Sequence, residues 1–326
     1  MKITRKEFLS SVVFVLGFFV LLIFSSCFFQ PKDTHESYGM EEWEANAIMA
    51  EEENTIDVLI LGDSISNCAT NPIQIWRDHG ITTYLCATPL QNLCYTREFL
   101  YKAFKTQSPK IVFLGTSSVF HDFQRQDNVR TAMELVFPVF RYHDRWKEAG
   151  ALPEFTSGMK IDYMHQDICK GYRFSTKFDE VEVNEYPGYR SDVEWIPFVC
   201  QDAVAEIKEF CDKNHARLIF LSEPNVAGAW GPHRHNAIQL LAEELGVDYL
   251  DLNYKNDEIV LDWSKDFYDV GDHLNYYGAQ KVTACMGRYL ENMGIFEDKR
   301  KNEKYESWNK TQEAFYEMVK ASLAEE

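Results

Sequence analysis

Short, largely apolar runs recur along the chain, each followed by a small or polar residue. They are IDVLILG at 56–62, GITTYLCA at 80–87, KIVFLG at 110–115, RLIFLS at 217–222 and VDYLDLN at 247–253. Runs that are apolar at consecutive rather than alternate positions mark strands covered on both faces, as in a parallel sheet. Between them the apolar positions take helical spacing. Residues 71–79 suit a short helix, and 91–106 place Leu93, Phe99, Leu100 and Phe104 in a helical pattern. Further helices are expected over 197–214, over 234–245 with Gly246 as C-cap, and over 276–290 with Asn275 as N-cap. The alternation predicts an α/β fold: a parallel five-stranded sheet with helices on both faces and functional loops at the carboxyl ends of its strands.

Three stretches break this rhythm. Lys2, Arg5 and Lys6 precede an uncharged run at 8–31, of which residues 8–29 are long enough to span a bilayer with some tilt. Cations before the run put the N-terminus in the cytoplasm and the rest outside. The segment 1–31 reads as a membrane anchor, or as a lipoprotein signal because IFSSC places small residues before Cys27. Either way the following domain is expected on the extracytoplasmic side of a membrane. Residues 32–54 are acidic and helix-prone and read as a stalk. The α/β domain is expected over 55–296. An aromatic and charged insertion at about 120–195 would form a cap or one wall of a cleft. Residues 297–326 read as a charged helical appendage.

Composition narrows the function. The chain has 326 residues, 45% of them hydrophobic, enough for a large core. Its net charge of −18 excludes a nucleic-acid surface, which needs clustered cations. Eight cysteines are present, but Cys27 lies in the apolar run and the other seven contain no CxxC pair. They imply neither a disulfide framework nor a zinc site. His233 and His235 have no third ligand at matching spacing. No metal or organic cofactor is called for.

The candidate chemistry begins at Ser64, in Gly-Asp-Ser directly after the first strand. Gly62 lets the backbone turn and present Ser64 at the sheet edge, ahead of a possible helix start whose amides favour negative charge. The alternative role is a helix N-cap. A serine nucleophile needs a base, and the base an orienting acid. His273, in DFYDVGDHLNYYGAQKV between the last strand and last helix, is the candidate base. Asp269 and Asp272 flank it; Asp269 is favoured because four residues leave room for the chain to fold back. YHDRW at 142–146, Lys170-Gly171-Tyr172 and Trp230 mix aromatics with charge and suit either sugar stacking or packing.

The Gly-Asp-Ser after the first strand and the Asp/His-Leu-Asn loop before the last helix resemble the SGNH/GDSL hydrolase superfamily. GDSISNCATNPIQIW, YHDRW, KGY, DFYDVGDHLNYYGAQKVT and KYESWN further resemble the membrane-anchored SGNH-like proteins of Gram-positive bacterial envelopes. The likeness runs in order over about residues 55–310, with the two end motifs its specific part. It implies a flavodoxin-like three-layer sandwich and a Ser–His–Asp triad that cleaves or transfers acyl esters, carried here by Ser64 and His273. This chain departs from the pattern in three places. Val270 stands where the family acid is usual, three residues before the histidine. Ala87 stands at the oxyanion-hole glycine, where its N–H still serves. LGTSS replaces the asparagine motif after the third strand, leaving Gln91, Thr116 or Ser117 to supply a donor. The resemblance and the anchor imply an acylated carbohydrate or other ester substrate, or a module that binds glycan or partners a membrane acyltransferase. A phosphate-binding flavodoxin-like domain fits less well, because the loop after the first strand lacks several glycines or hydroxyls.

Overall fold

The computed structural model describes residues 4–121, 123–147, 158–183, 185–226, 228, 230–255 and 257–324. Lys2, one of the cations ahead of the apolar run, and residues 148–157 of the insertion lie outside the described residues. The chain divides into two units, Met1–Trp43 with Arg125–His165 and Glu44–Gln124 with Gln166–Glu326.

The first unit is built on α1 (Arg5–Phe29), a 25-residue helix whose most apolar 18-residue stretch has a mean hydropathy of 2.8. At 1.5 Å per residue it is about 37 Å long, more than a hydrocarbon core of about 30 Å. Thr4 and Glu7 close a reciprocal capping box at its start. Beyond its end the Arg145 guanidinium donates to the carbonyls of Gln30 (3.0 Å) and Phe29 (3.3 Å), and to that of Tyr38. Asp33 is buried and accepts from the N–H groups of Thr34 (2.7 Å) and Met164 (2.8 Å).

The second unit begins at Glu44, within α2 (Trp43–Asn46), and follows with β1 (Val58–Gly62), α3 (Ser64–Ala69), α4 (Pro72–His79), β2 (Thr83–Ala87), α5 (Leu93–Ala103) and β3 (Ile111–Gly115). The chain then passes through α6 (Arg125–Val136) and α7 (Val139–Tyr142), which belong to the first unit. It returns with α8 (Phe198–Lys213), β4 (Arg217–Ser222), α9 (Pro232–Leu245), β5 (Asp248–Asp251), β6 (Phe267–Tyr268), β7 (His273–Leu274), α10 (Tyr276–Asn292) and α11 (Glu306–Ala324).

The five long strands form one all-parallel sheet in the order β2-β1-β3-β4-β5, the flavodoxin-like order. Successive residues of each strand enter opposite cores. Leu59, Leu61, Val112, Leu114, Leu218 and Phe220 face one core with α5, α8 and α9. Val58, Ile60, Ile111, Phe113, Ile219 and Leu221 face the other with Val282, Met286 and Leu290 of α10. The three-layer α/β sandwich expected from the apolar runs is therefore present. Side-chain caps fix the helix starts. Asn71, Asn92 and Asn275 each accept from two N–H groups of the following turn, and Gly246 closes α9 with φ of +63°. Each such cap is worth about 1 kcal/mol.

The domain boundaries differ from the sequence reading. Residues 44–54 are no separate stalk: Ala45 and Ile48 are buried in the sheet domain's core. The insertion is divided, its 125–165 part grouping with α1 and its 166–195 part with the sheet. The C-terminal appendage is likewise corrected. Tyr305, Trp308, Phe315 and Val319 are buried in the main core, and the Trp76 indole donates to Asn309 at 3.3 Å. Truncating a buried Trp or Phe of this kind costs about 3–5 kcal/mol.

Candidate active site

The site grows from the carboxyl ends of β1 and β3, which lie side by side. A Cβ placed on Gly62 or Gly115 would come within 2.1 or 2.2 Å of the Ser66 hydroxyl oxygen, so the glycines let α3 start close against the sheet. Asp63 caps α3 by accepting from the Ile65 N–H at 3.0 Å. Ser64 follows as the first helical residue. It is partly exposed, and its hydroxyl makes no hydrogen bond to a described residue. Its N–H lies in the first turn, where backbone donors have no intrahelical partner.

His273 is delivered by a second route. β6 and β7 pair antiparallel, with Tyr268 opposite His273, and the two rings stack at 5.3 Å. β7 packs against α3, and Cys68 of α3 contacts the Tyr268 hydroxyl at 3.2 Å. The elements that carry Ser64 and His273 are thus in contact. Both ring nitrogens of His273 are buried and without a hydrogen-bond partner, so Ser64 and His273 are not hydrogen-bonded to each other.

The acid question takes a definite geometry. Asp269 Oδ2 lies 3.3 Å from His273 Nδ1, and Asp272 Oδ2 lies 3.7 Å from it. Asp272 is also held by the Asn225 amide, at 3.0 Å to its carboxylate and 2.7 Å to its carbonyl. Asp269, Val270 and Gly271 all have positive φ, of 52°, 56° and 88°. A β-branched residue such as Val270 rarely adopts that conformation, which costs on the order of 1–3 kcal/mol. This left-handed turn lies between Asp269 and His273 and precedes the approach of Asp269 to the ring.

The oxyanion candidates separate by what they already bind. Ala87 ends β2, pairs with Gly62 across the sheet, and its carbonyl accepts from the Asn67 amide at 3.2 Å. Gln91 is occupied: its amide donates to Cys86 O and Thr96 Oγ1, and its oxygen accepts from Thr88. Thr116 hydrogen-bonds Ser222, which continues through Tyr249 to Asp251. Both side chains are held in these hydrogen bonds. Ser117, next along the turn after β3, has a buried hydroxyl with no partner. Trp230 is partly exposed; its indole donates to Asp251 at 3.0 Å and its ring packs on Tyr186 and Tyr254.

The KGY segment is structural. Lys170 is fully buried and pairs with Glu51 at 2.6 Å, and Tyr172 is buried beside Phe315. His233 and His235 pair with different carboxylates, Glu194 at 2.8 Å and Asp251 at 2.6 Å. Among the described residues no group of three or more His, Cys, Asp or Glu is arranged to hold a metal.

Two groups at this edge escaped the sequence reading. His121, just past the end of β3, places Nε2 2.6 Å from Asp63 Oδ2 and so braces the turn that carries Ser64. Glu223, just past β4, is fully buried, and one of its carboxyl oxygens has no partner. Burial pushes its carboxyl up to about 8, and nearby Asp63 and Asp251 add to the rise. The only sequence signal for either was its place at a strand's carboxyl end.

No protein-family model matches the chain, and no curated protein matches it in sequence. Solved structures similar to it include the lipase/acylhydrolase from Enterococcus faecalis, at 11% identity and a TM-score of 0.40, covering 73% of this chain and 97% of that one. The psychrotrophic esterase EstA from Pseudoalteromonas sp. is similar at 9% identity and a TM-score of 0.39, covering 74% and 99%. A GDSL-like lipase from Parabacteroides merdae is similar at 10% identity and a TM-score of 0.38, covering 76% and 99%.

Proposed function

We propose that the chain is a membrane-anchored serine esterase or acyltransferase of the SGNH/GDSL type, acting on O-acyl, chiefly O-acetyl, esters of envelope or extracellular carbohydrate. Ser64 Oγ attacks the acyl carbon while His273 Nε2 takes its proton. The tetrahedral intermediate collapses to an acyl-serine, and the imidazolium returns the proton to the leaving alcohol. Water or an acceptor hydroxyl then repeats the sequence and frees Ser64. Asp269 holds the imidazole through Nδ1. The N–H groups of Ser64 and Ala87, with the Ser117 hydroxyl, receive the oxyanion. The observation that carries this reading is the state of His273. It sits on a strand packed against the helix of Ser64, with carboxylates on its Nδ1 side and no partner on Nε2. The apolar α1 supports the anchor, with the catalytic domain on the outer side.

The test compares the full chain with Ser64→Ala on an aryl acetate and on an acetylated glycan. Wild type should turn over at least one of them, and the variant should lose on the order of 10³-fold or more. A fluorophosphonate should label Ser64 in the wild type alone. Equal rates would sink the mechanism. A second reading, a non-catalytic module that binds glycan or partners a membrane acyltransferase, is favoured by the occupied side chains of Gln91 and Thr116. Glycan binding without labelling would select it.

A further inference from the structure

The first unit carries an exposed apolar surface apart from the outer face of α1. On α6, Val129, Met133 and Val136 are 60%, 44% and 59% exposed, and Phe140 on α7 is 39% exposed. On α6 the spacing of four and three residues draws Val129, Met133 and Val136 into one stripe, and Phe140 follows on the next helix. The opposite side of α6 buries Thr131 and Glu134. A soluble surface helix orients the other way, with its apolar stripe inward.

The position of this stripe beside α1 identifies its solvent. The ring of Phe137 lies 6.2 Å from that of Phe19, about midway along the apolar run of α1. A groove of about 450 Å³ runs between α1 and the α7 segment, walled by Phe18, Leu21, Leu22 and Ser25 on one side and by Val139, Phe140 and, just past α7, His143 on the other. The stripe therefore continues the apolar surface of a helix whose length fits a bilayer. The charges that accompany it are partly neutralised: Arg130 pairs with Glu134 at 2.8 Å. Arg130 is mostly exposed and long enough to lift its guanidinium to the headgroups.

We propose that α6 and α7 insert beside α1 into the leaflet that receives its C-terminal half, with Val129, Met133, Val136 and Phe140 touching lipid acyl chains. The occupant of the apolar face and groove is lipid. The chain then holds the membrane by two elements, a spanning helix and a helical pair confined to one leaflet, and the pair restrains rotation of the anchor. This rests on the reading of α1 as a membrane span.

The experiment uses the full chain in phosphatidylcholine/phosphatidylglycerol vesicles, with Val136→Trp and, separately, Met133→Trp. The seven native tryptophans supply the baseline, and each variant adds one emitter. Expected is an added emission that is blue-shifted and largely lost when the acyl chains are brominated. Vesicle flotation is read in the same samples. A chain that floats while both added emitters stay unquenched overturns the proposal and leaves the anchor standing. Blue-shifted but unquenched emission overturns it in favour of a protein cover such as a second copy. Failure to float overturns the lipid contact and the anchor together.

Discussion

His273 faces two carboxylates, and the second is shared. Asp272 is clamped by Asn225, whereas Asp269 approaches Nδ1 at 3.3 Å from a turn built for that approach. Asp269→Asn is expected to lower kcat on the aryl acetate by on the order of 10³-fold, and Asp272→Asn by less than about tenfold. Steady-state rates, with Ser64→Ala as the floor, check the order; the reverse order would move the acid to Asp272. At this scale the sequence was partly readable. An apolar strand running into Gly62 located Ser64, and the loop before the last helix located His273. The acid stayed ambiguous because Val270 is a poor residue for a left-handed turn, so nothing in the string announces one. His121 was missed for another reason. Its bond to Asp63 depends on β1 and β3 being neighbours, and no local spacing encodes that adjacency.

Elements were legible where they carry their own punctuation. RLIFLS became β4 residue for residue, and Asn71, Asn92, Asn275 and Gly246 set helix limits through caps. The C-terminal helix is hard to read as core because charged residues stand between its core-facing positions. Trp308, Thr311, Phe315 and Val319 are its buried positions, at the spacing of a core-facing helix. The segment around Lys170 also looked like surface chemistry. In the fold, Lys170 and Glu51 are a fully buried pair, with the Trp308 ring 5.0 Å from the ammonium. Burial raises the Glu51 carboxyl, and Lys170 opposes that rise. Lys170→Met leaves Glu51 uncompensated and is expected to destabilise the chain by about 3–5 kcal/mol. Adding Glu51→Leu should recover most of that loss. Urea denaturation of the wild type, single and double variants measures both steps; a single variant as stable as wild type would contradict the account.

The whole molecule should weaken as pH rises from about 4.5 to about 8, through Glu223. Its folded carboxyl titrates at about 8 against an ordinary value of 4.5. Between those values the folded chain keeps a proton that the unfolded chain releases. The sign follows: stability is not affected by this group below about 4.5 and falls as pH rises towards 8. Glu223→Gln should flatten that part of the pH profile, as read by denaturation midpoints across the window; an unchanged slope would remove Glu223 as its cause. Global architecture was legible because strand–helix alternation leaves few alternatives, whereas the two-unit division was not: it joins residues far apart in the chain. One detail at the margin of the sheet reaches beyond a single copy. The Leu85 N–H donates to Lys170 O at 3.0 Å, and a Cβ on Gly171 would stand 2.0 Å from Leu85 O. Residues 170–171 thus lie flat along β2, the sheet's first edge, while the opposite edge, β5, is four residues long. Among the described residues neither margin offers a long free ladder, and short or covered edges are the kind that resist strand addition by a neighbouring chain.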